Sequence, residues 1–135
     1  MATTYEGGCL CGAVRYRVTG TARNRCYCHC RSCRLATGAP FVAWATFDRS
    51  RFETVAGTLT TVRSSKHVER GFCGKCGTSI TYVHDKRPED LDVTLATITN
   101  AEAIAPERHI WVADKLAWVA IGDGLPEHDK WGGDS

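Results

Sequence analysis

The cysteines are the residues of this sequence whose spacing most clearly indicates chemistry. The eight cysteines fall into three close groups: Cys9-Leu-Cys11, Cys26-Tyr-Cys28-His-Cys30-Arg-Ser-Cys33 and Cys73-Gly-Lys-Cys76. Close cysteine pairs are typical of zinc sites, because each pair closes a tight turn and presents two sulfur atoms to one ion. The first and last groups each contain such a pair beside glycines that permit tight turns. These two pairs, brought together by the fold, are predicted to bind one structural zinc ion.

The middle group predicts a second zinc site of a different kind. Cys28, Cys30 and Cys33 form a C-x-C-x-x-C arrangement that can supply three sulfur ligands to one ion. Three protein ligands leave one coordination position open, which is typical of catalytic zinc sites. Three thiolates weaken zinc as an activator of water, but suit a sulfur ligand as the fourth partner, which would be held as the nucleophilic thiolate. The middle group therefore predicts thiol chemistry.

Two neighbours of this group leave alternatives open. Cys26 would convert the open site into an inert four-cysteine site if it also bound the metal. In an extended segment Cys26 and Cys30 lie roughly 13 Å apart, whereas sulfur atoms that share a zinc ion lie within about 4 Å of each other. The open site is therefore favoured. His29 would point away from the adjacent cysteines in such a segment and is a minor candidate for a ligand or proton shuttle.

Charge is unevenly distributed around the cysteines. Residues 7–47 contain no lysine and no acid but six arginines, namely Arg15, Arg17, Arg23, Arg25, Arg31 and Arg34. A guanidinium group binds carboxylates as a planar fork, so Arg31 and Arg34 are candidates for holding substrate carboxylates. The alternative is that these arginines balance anionic zinc-thiolate sites. The formal charge of +2 becomes slightly negative once ligating thiolates and zinc ions are counted, so no nucleic-acid partner is expected.

The elements that must position these residues are mostly β-strands. Period-two alternation or short β-branched runs predict strands at residues 14–18, 41–47, 59–62, 80–83 and 91–95. Two short helices are predicted, one over residues 31–37 ended by Gly38 and Pro40, and one near residues 100–105 capped by Asn100 and stopped by Pro106. With no repeat and no linker, the sequence predicts one mainly β domain over residues 1–135, with a core from about 5 to 129. No membrane-spanning run or signal peptide is recognisable, so a cytoplasmic location without membrane partners is expected.

Longer stretches around the cysteines resemble the glutathione-dependent formaldehyde-activating enzyme family, also called the CENP-V/GFA domain. They are GGCLCGAVRY from Gly7, CHCRSCRLATGAPF from Cys28, GFCGKCGTSI from Gly71 and ERHIWVADKLAWVAIGDGLPEHD from Glu107. The resemblance implies a zinc-stabilised, mostly antiparallel β-tent fold. It also implies structural zinc on Cys9, Cys11, Cys73 and Cys76 and catalytic zinc on Cys28, Cys30 and Cys33, which makes two zinc ions per chain. Cys26 matches no ligand position of the family.

The activity that this resemblance implies is carbon-sulfur bond formation. Glutathione would add to formaldehyde to give S-hydroxymethylglutathione, or the reverse lyase reaction would release them, so a small thiol and an aldehyde are the expected partners. The alternative is a zinc-stabilised, non-enzymatic binding module with two structural four-cysteine sites. A weaker alternative is a zinc or redox buffer.

Overall fold

A computed structural model describes residues 3–132, so residues 1, 2 and 133–135 of the predicted domain lie outside the described part. The architecture is mainly β, as the periodicity predicts. The strands are β1 (Thr4–Gly8), β2 (Arg15–Thr19), β3 (Arg23–Cys28), β4 (Val42–Asp48), β5 (Phe52–Ala56), β6 (Thr60–Ser65), β7 (Val68–Phe72), β8 (Ser79–His84), β9 (Asp90–Thr94) and β10 (Arg108–Ile110). One α-helix, α1 (Arg31–Thr37), has the bounds that the sequence predicts. Short 3-10 helices cover Arg49–Arg51, Leu95–Thr97, Ala101–Ala103 and Val112–Asp114.

The strands form two sheets. The smaller sheet has the order β1-β2-β5, and the larger has the order β10-β3-β4-β9-β8-β7-β6. The pairings are antiparallel apart from β10, which runs parallel to β3. The closing strand β10 therefore places the segment after residue 107 against the cysteine-bearing strand β3.

Both faces of the central strands β4 and β9 of the larger sheet are buried, and this arrangement creates two separate clusters. On one face, Ala45 and Phe47 of β4 pack with Tyr16 and Val18 of the smaller sheet. On the other face, Trp44 packs in a second cluster that contains Cys26, Cys28 and Cys33. Successive residues of a strand point to opposite faces, so one strand contributes to both clusters. The cysteine-rich cluster thus lies on the face of the larger sheet that is opposite the main core.

The predicted helix near residues 100–105 is wrong in extent. The structure has a single 3-10 turn at Ala101–Ala103, and the Asn100 side chain makes no capping hydrogen bond. Ile98 and Ile104 are both buried in the main core and anchor the two sides of this stretch. Little more than one turn fits between the anchors, too short for cooperative α-helix formation. None of the helices within residues 3–132 is long and apolar enough to cross a bilayer.

Candidate functional site

The first cysteine cluster lies where two connections between strands meet. Cys9 and Cys11 are in the β1–β2 connection, and Cys73 and Cys76 are in the β7–β8 connection. The Sγ atoms of Cys9 and Cys11 are 3.7 Å apart, those of Cys11 and Cys73 are 3.8 Å apart, and all four sulfur atoms lie within 4.8 Å of one another. Four sulfur atoms placed tetrahedrally at about 2.3 Å from one metal ion would be about 3.8 Å apart. The cluster therefore fits a bound metal ion.

Backbone and hydroxyl donors prepare this cluster for binding a cation. The Val14 amide donates to Cys9 Sγ at 3.2 Å and lowers the pKa of Cys9. The Thr78 hydroxyl lies 3.2 Å from Cys76 Sγ and lowers the pKa of Cys76 to about 5. Gly77 has a φ of 85°, which an L side chain rarely adopts, so the turn after Cys76 requires glycine. These contacts favour thiolates, the form that binds metals.

The second cluster comes from one continuous segment. Cys28 ends β3, Cys30 is the N-cap of α1, and Cys33 lies in the first turn of that helix. Their three sulfur atoms lie within 4.8 Å of one another. Hydrogen bonds from Cys28 and Cys33 lower the pKa of Cys30 to about 2. The hydrogen bond between Cys28 and Cys30 in turn raises the pKa of Cys28. The segment thus presents three sulfur atoms that fit one metal ion and would leave a tetrahedral position for a further ligand.

Arg70 is a neighbour of this cluster that no sequence motif marks. Its Nη2 lies 3.7 Å from Cys33 Sγ, its Nε donates to Ser64 Oγ at 3.1 Å, and its guanidinium lies 5.0 Å from the centre of the Tyr82 ring. Arg70 is buried, 37 residues from Cys33 in the chain. A guanidinium in this position offsets the negative charge of the thiolates.

Cys26 is not a member of either cluster among the described residues. It is 2% exposed, and burial raises the pKa of its thiol to about 12. Its position outside the clusters, rather than its pKa, distinguishes Cys26 from the sulfur atoms that fit a metal ion. Cys26 instead contributes to the wall of an adjacent cavity.

This cavity, of about 410 Å³, extends from the second cluster across the larger sheet. Its lining consists of Asn24, Cys26, Cys28, Cys30, Ser32, Cys33, Trp44, Thr46, Tyr82, His84, Arg87, Asp92, Ile110, Trp111 and Trp131. Three tryptophans supply apolar wall, a lining typical of small-molecule sites. Arg31 and Arg34, the arginines that the sequence favours for substrate binding, are not among the lining residues, whereas Arg87 is.

The far part of the cavity contains a buried carboxyl group. The Asp92 side chain is 12% exposed, and Thr46 Oγ1 donates to its Oδ1 at 2.6 Å. Arg87 Nη2 lies 3.9 Å from Oδ2 of the same group. Burial raises the pKa of Asp92 to about 6, because removing a carboxylate from water disfavours its charged form. The alternating sequence of β9 does not reveal this position, since both faces of the strand are covered.

His29 lies behind the second cluster and takes part in a chain of polar contacts. Its Nε2 is 2.9 Å from Nδ1 of His109, whose Nε2 is 2.8 Å from Oδ2 of Asp123. His29 is fully buried, and burial lowers its pKa to about 4, so the ring is neutral near pH 7. It is not part of the cysteine cluster or of the cavity lining. The contacts tie the cysteine segment to the C-terminal part of the described chain.

Comparisons with known proteins agree on one family. The model of a family described as glutathione-dependent formaldehyde-activating enzyme matches residues 4–114. An uncharacterised lyase of Schizosaccharomyces pombe is 30% identical over 116 residues, 82% of this chain and 80% of the relative. A Halomonas elongata protein named after the same enzyme family is 29% identical over 127 residues, 86% of this chain and 80% of that protein. A crystal structure of a Rhodobacter sphaeroides protein shares the fold, with a TM-score of 0.57 and 24% identity over 91% of this chain and 98% of that one.

Proposed function

Because the chain belongs to the glutathione-dependent formaldehyde-activating enzyme family, we propose that it is a carbon-sulfur lyase that adds glutathione to formaldehyde and catalyses the reverse reaction. In the forward direction the thiolate sulfur bonds to the carbonyl carbon and the carbon-oxygen π bond breaks. The electron pair moves to oxygen, which takes up a proton, and the thiol has released one, so the step is balanced. The product is S-hydroxymethylglutathione, and cleavage retraces the same path.

The observation that carries this proposal is the open three-cysteine cluster at one end of a cavity. Cys28, Cys30 and Cys33 would hold zinc, the metal that best matches tetrahedral thiolate ligands. When bound, zinc supplies a Lewis acid at which a substrate thiol ionises near neutral pH. Tryptophan side chains supply apolar wall beside the reacting groups, and Arg70 offsets the charge of the sulfur ligands. The four-cysteine cluster, with no open position, is proposed to hold a structural zinc ion.

The test is turnover by variants that differ in one sulfur atom. Cys30→Ser is expected to lose about one zinc ion per chain and to abolish the accelerated equilibration of glutathione with formaldehyde, followed by NMR exchange spectroscopy. Cys26→Ser is the matched control, because that thiol lies in the cavity wall but not in the cluster. It should keep both its metal content and its exchange rate. Equal exchange rates in the Cys30→Ser variant and the unaltered protein would exclude the catalytic role.

A second candidate is a binding module with two structural zinc sites, and the position of Cys26 favours it. Its buried thiol lies in the same cavity wall as Cys28 and packs in the same cluster of buried residues. X-ray absorption separates the candidates. The enzyme predicts an average of three and a half sulfur ligands per zinc ion, changed by glutathione. The binding module predicts four sulfur ligands and no response.

A further inference from the structure

The end of the cavity that is formed by Thr46, Arg87 and Asp92, here called the Asp92 end, lies away from Cys28 along β4. The strand register gives the separation. Cys28 is opposite Val42 of β4, and Asp92 is opposite Thr46, four residues further along the same strand. With a rise of about 3.3 Å per residue and about 4.8 Å between strands, the Cα atoms of Cys28 and Asp92 are roughly 16 Å apart.

This separation decides what Asp92 can contact. Formaldehyde is far smaller than this cavity of about 410 Å³, so most of the cavity is available to the thiol substrate. A longer ligand, with its sulfur at Cys28, Cys30 and Cys33, extends along β4 towards the Asp92 end. Asp92 therefore faces the part of the substrate that does not react.

The Asp92 carboxyl group has a long ion pair with Arg87, a cation that it shares with Asp90. Thr46 supplies one neutral donor, and Arg87 lies at 3.9 Å while it also pairs with Asp90 at 3.4 Å and packs 5.4 Å from the centre of the Trp131 ring. A buried carboxylate is unfavourable unless a cation and hydrogen bonds compensate for the lost water. Burial raises the pKa of Asp92 to about 6 even though Thr46 and Arg87 act in the opposite direction. A ligand ammonium group would supply a second cationic partner.

We propose that the Asp92 end binds the α-amino-acid end of the thiol substrate, with Asp92 accepting hydrogen bonds from its ammonium group and Arg87 binding its carboxylate. This inference rests on the proposed function and assigns the substrate a class. The substrate is a thiol that carries its α-amino-acid group at the far end of a γ-glutamyl unit, as in glutathione. The ammonium group of an N-terminal cysteine lies too near its sulfur to span the cavity.

Two dipeptides of opposite polarity test the proposal by calorimetric titration of the zinc-loaded protein. γ-Glutamylcysteine carries its α-amino-acid group far from the sulfur, whereas cysteinylglycine carries its ammonium group on the cysteine itself. γ-Glutamylcysteine and glutathione are expected to bind at least about tenfold more tightly than cysteinylglycine. Equal affinity for the two dipeptides would overturn the proposal, and this comparison needs no variant.

Substitution then assigns the preference to a residue. Asp92→Asn is expected to weaken binding of both γ-glutamyl thiols by about tenfold and to leave cysteinylglycine unchanged. Asp85→Asn is the control, because Asp85 is a half-exposed acid outside the cavity lining that pairs with Arg63. An unchanged preference in the Asp92→Asn variant would overturn the assignment.

The outcome is separable from that of the proposed function. If the protein prefers γ-glutamyl thiols and Asp92→Asn removes that preference while no exchange with formaldehyde is detected, the proposed reaction fails and the subsite stands. If exchange is detected but its KM for glutathione is unchanged in the Asp92→Asn variant, the subsite fails and the reaction stands. Arg87→Gln should raise the same KM and leave kcat nearly unchanged, since Arg87 contacts only the unreactive end.

Discussion

The two cysteine clusters gather their ligands in different ways, and this difference indicates their roles. The four-cysteine cluster joins two turns whose ligands lie 62 residues apart, at Cys11 and Cys73, and packs beside the main core. The three-cysteine cluster comes from residues 28–33 alone, on the opposite face of the larger sheet. A metal ion in the first cluster closes a long loop, whereas one in the second closes almost none. We therefore propose that stability depends on the first cluster and that the second is free to serve chemistry.

The largest expected effect is the loss of the fold when the first cluster is broken. Cys76→Ser removes one of four ligands that connect distant turns. A structural zinc site contributes on the order of 10 kcal/mol, which is comparable to the whole stability of a domain. We expect this variant to be largely unfolded at 25 °C by circular dichroism. A melting temperature within a few degrees of the unaltered protein would show that the cluster does not sustain the fold.

Breaking the second cluster should leave the fold intact. Cys30→Ser removes a ligand from a local segment, and the serine hydroxyl can still cap α1 by accepting from the Cys33 amide. We expect a loss of stability of about 1 kcal/mol or less, together with loss of metal from this cluster. Thermal unfolding and metal analysis on the same sample check this. Unfolding as severe as that of Cys76→Ser would remove the distinction between the clusters.

Removing the cationic neighbour should weaken metal binding at the second cluster only. Arg70→Gln deletes the guanidinium 3.7 Å from Cys33 Sγ. Loss of a partner hydrogen-bonded to a ligand typically lowers metal affinity by about tenfold or more. Competition with a chromogenic chelator should show this for one metal ion per chain and leave the other unchanged. The matched control is Arg63→Gln, which alters an exposed arginine paired with Asp85.

The smallest expected effect is a pH dependence that arises in the cavity. The pKa of Asp92 is raised from 3.8 to about 6, so the folded protein holds this proton more tightly than the unfolded chain does. Stability contributed by the protonated form is therefore lost as pH rises from about 4 through 6. Between pH 5.5 and 7.5 the loss is about 1 kcal/mol.

This effect is checked by comparing the stability of the Asp92→Asn variant with that of the unaltered protein at the same pH. Asp92→Asn cannot ionise, so its stability relative to the unaltered protein should improve by about 1 kcal/mol from pH 5.5 to 7.5. Denaturant unfolding in zinc-containing buffer at both pH values measures the change. Parallel pH profiles of the two proteins would show that Asp92 titrates normally in the fold.

Local signals explain what the sequence predicted well. The helix over residues 31–37 has the predicted bounds because Cys30 caps its start and Gly38, with a φ of 73°, ends it. The cysteine groups were recognisable because metal ligands within one turn have fixed spacings. The predicted helix near residues 100–105 failed because tertiary anchors at Ile98 and Ile104 outweigh local propensity.

The cavity residues escaped prediction because strand pairing brings them together. Arg70 and Asp92 lie on β7 and β9, far in the chain from the cysteine segment with which the fold groups them. Trp131 reaches the cavity from the end of the described chain, where it packs between elements with no motif of its own. Period-two alternation identifies a strand but does not say which element covers each of its faces. Such positions can be identified only when the pairing of the strands is known.

The parallel pairing of β10 with β3 has a consequence for the newly made protein. Strand β3, which carries Cys26 and Cys28, remains an edge strand until residues 108–110 emerge from the ribosome and pair with it. The backbone bond from the His29 amide to the Ile110 carbonyl forms at the same late moment. During synthesis the segment that carries Cys26 and Cys28 therefore completes its backbone pairing only after residue 110 has been made.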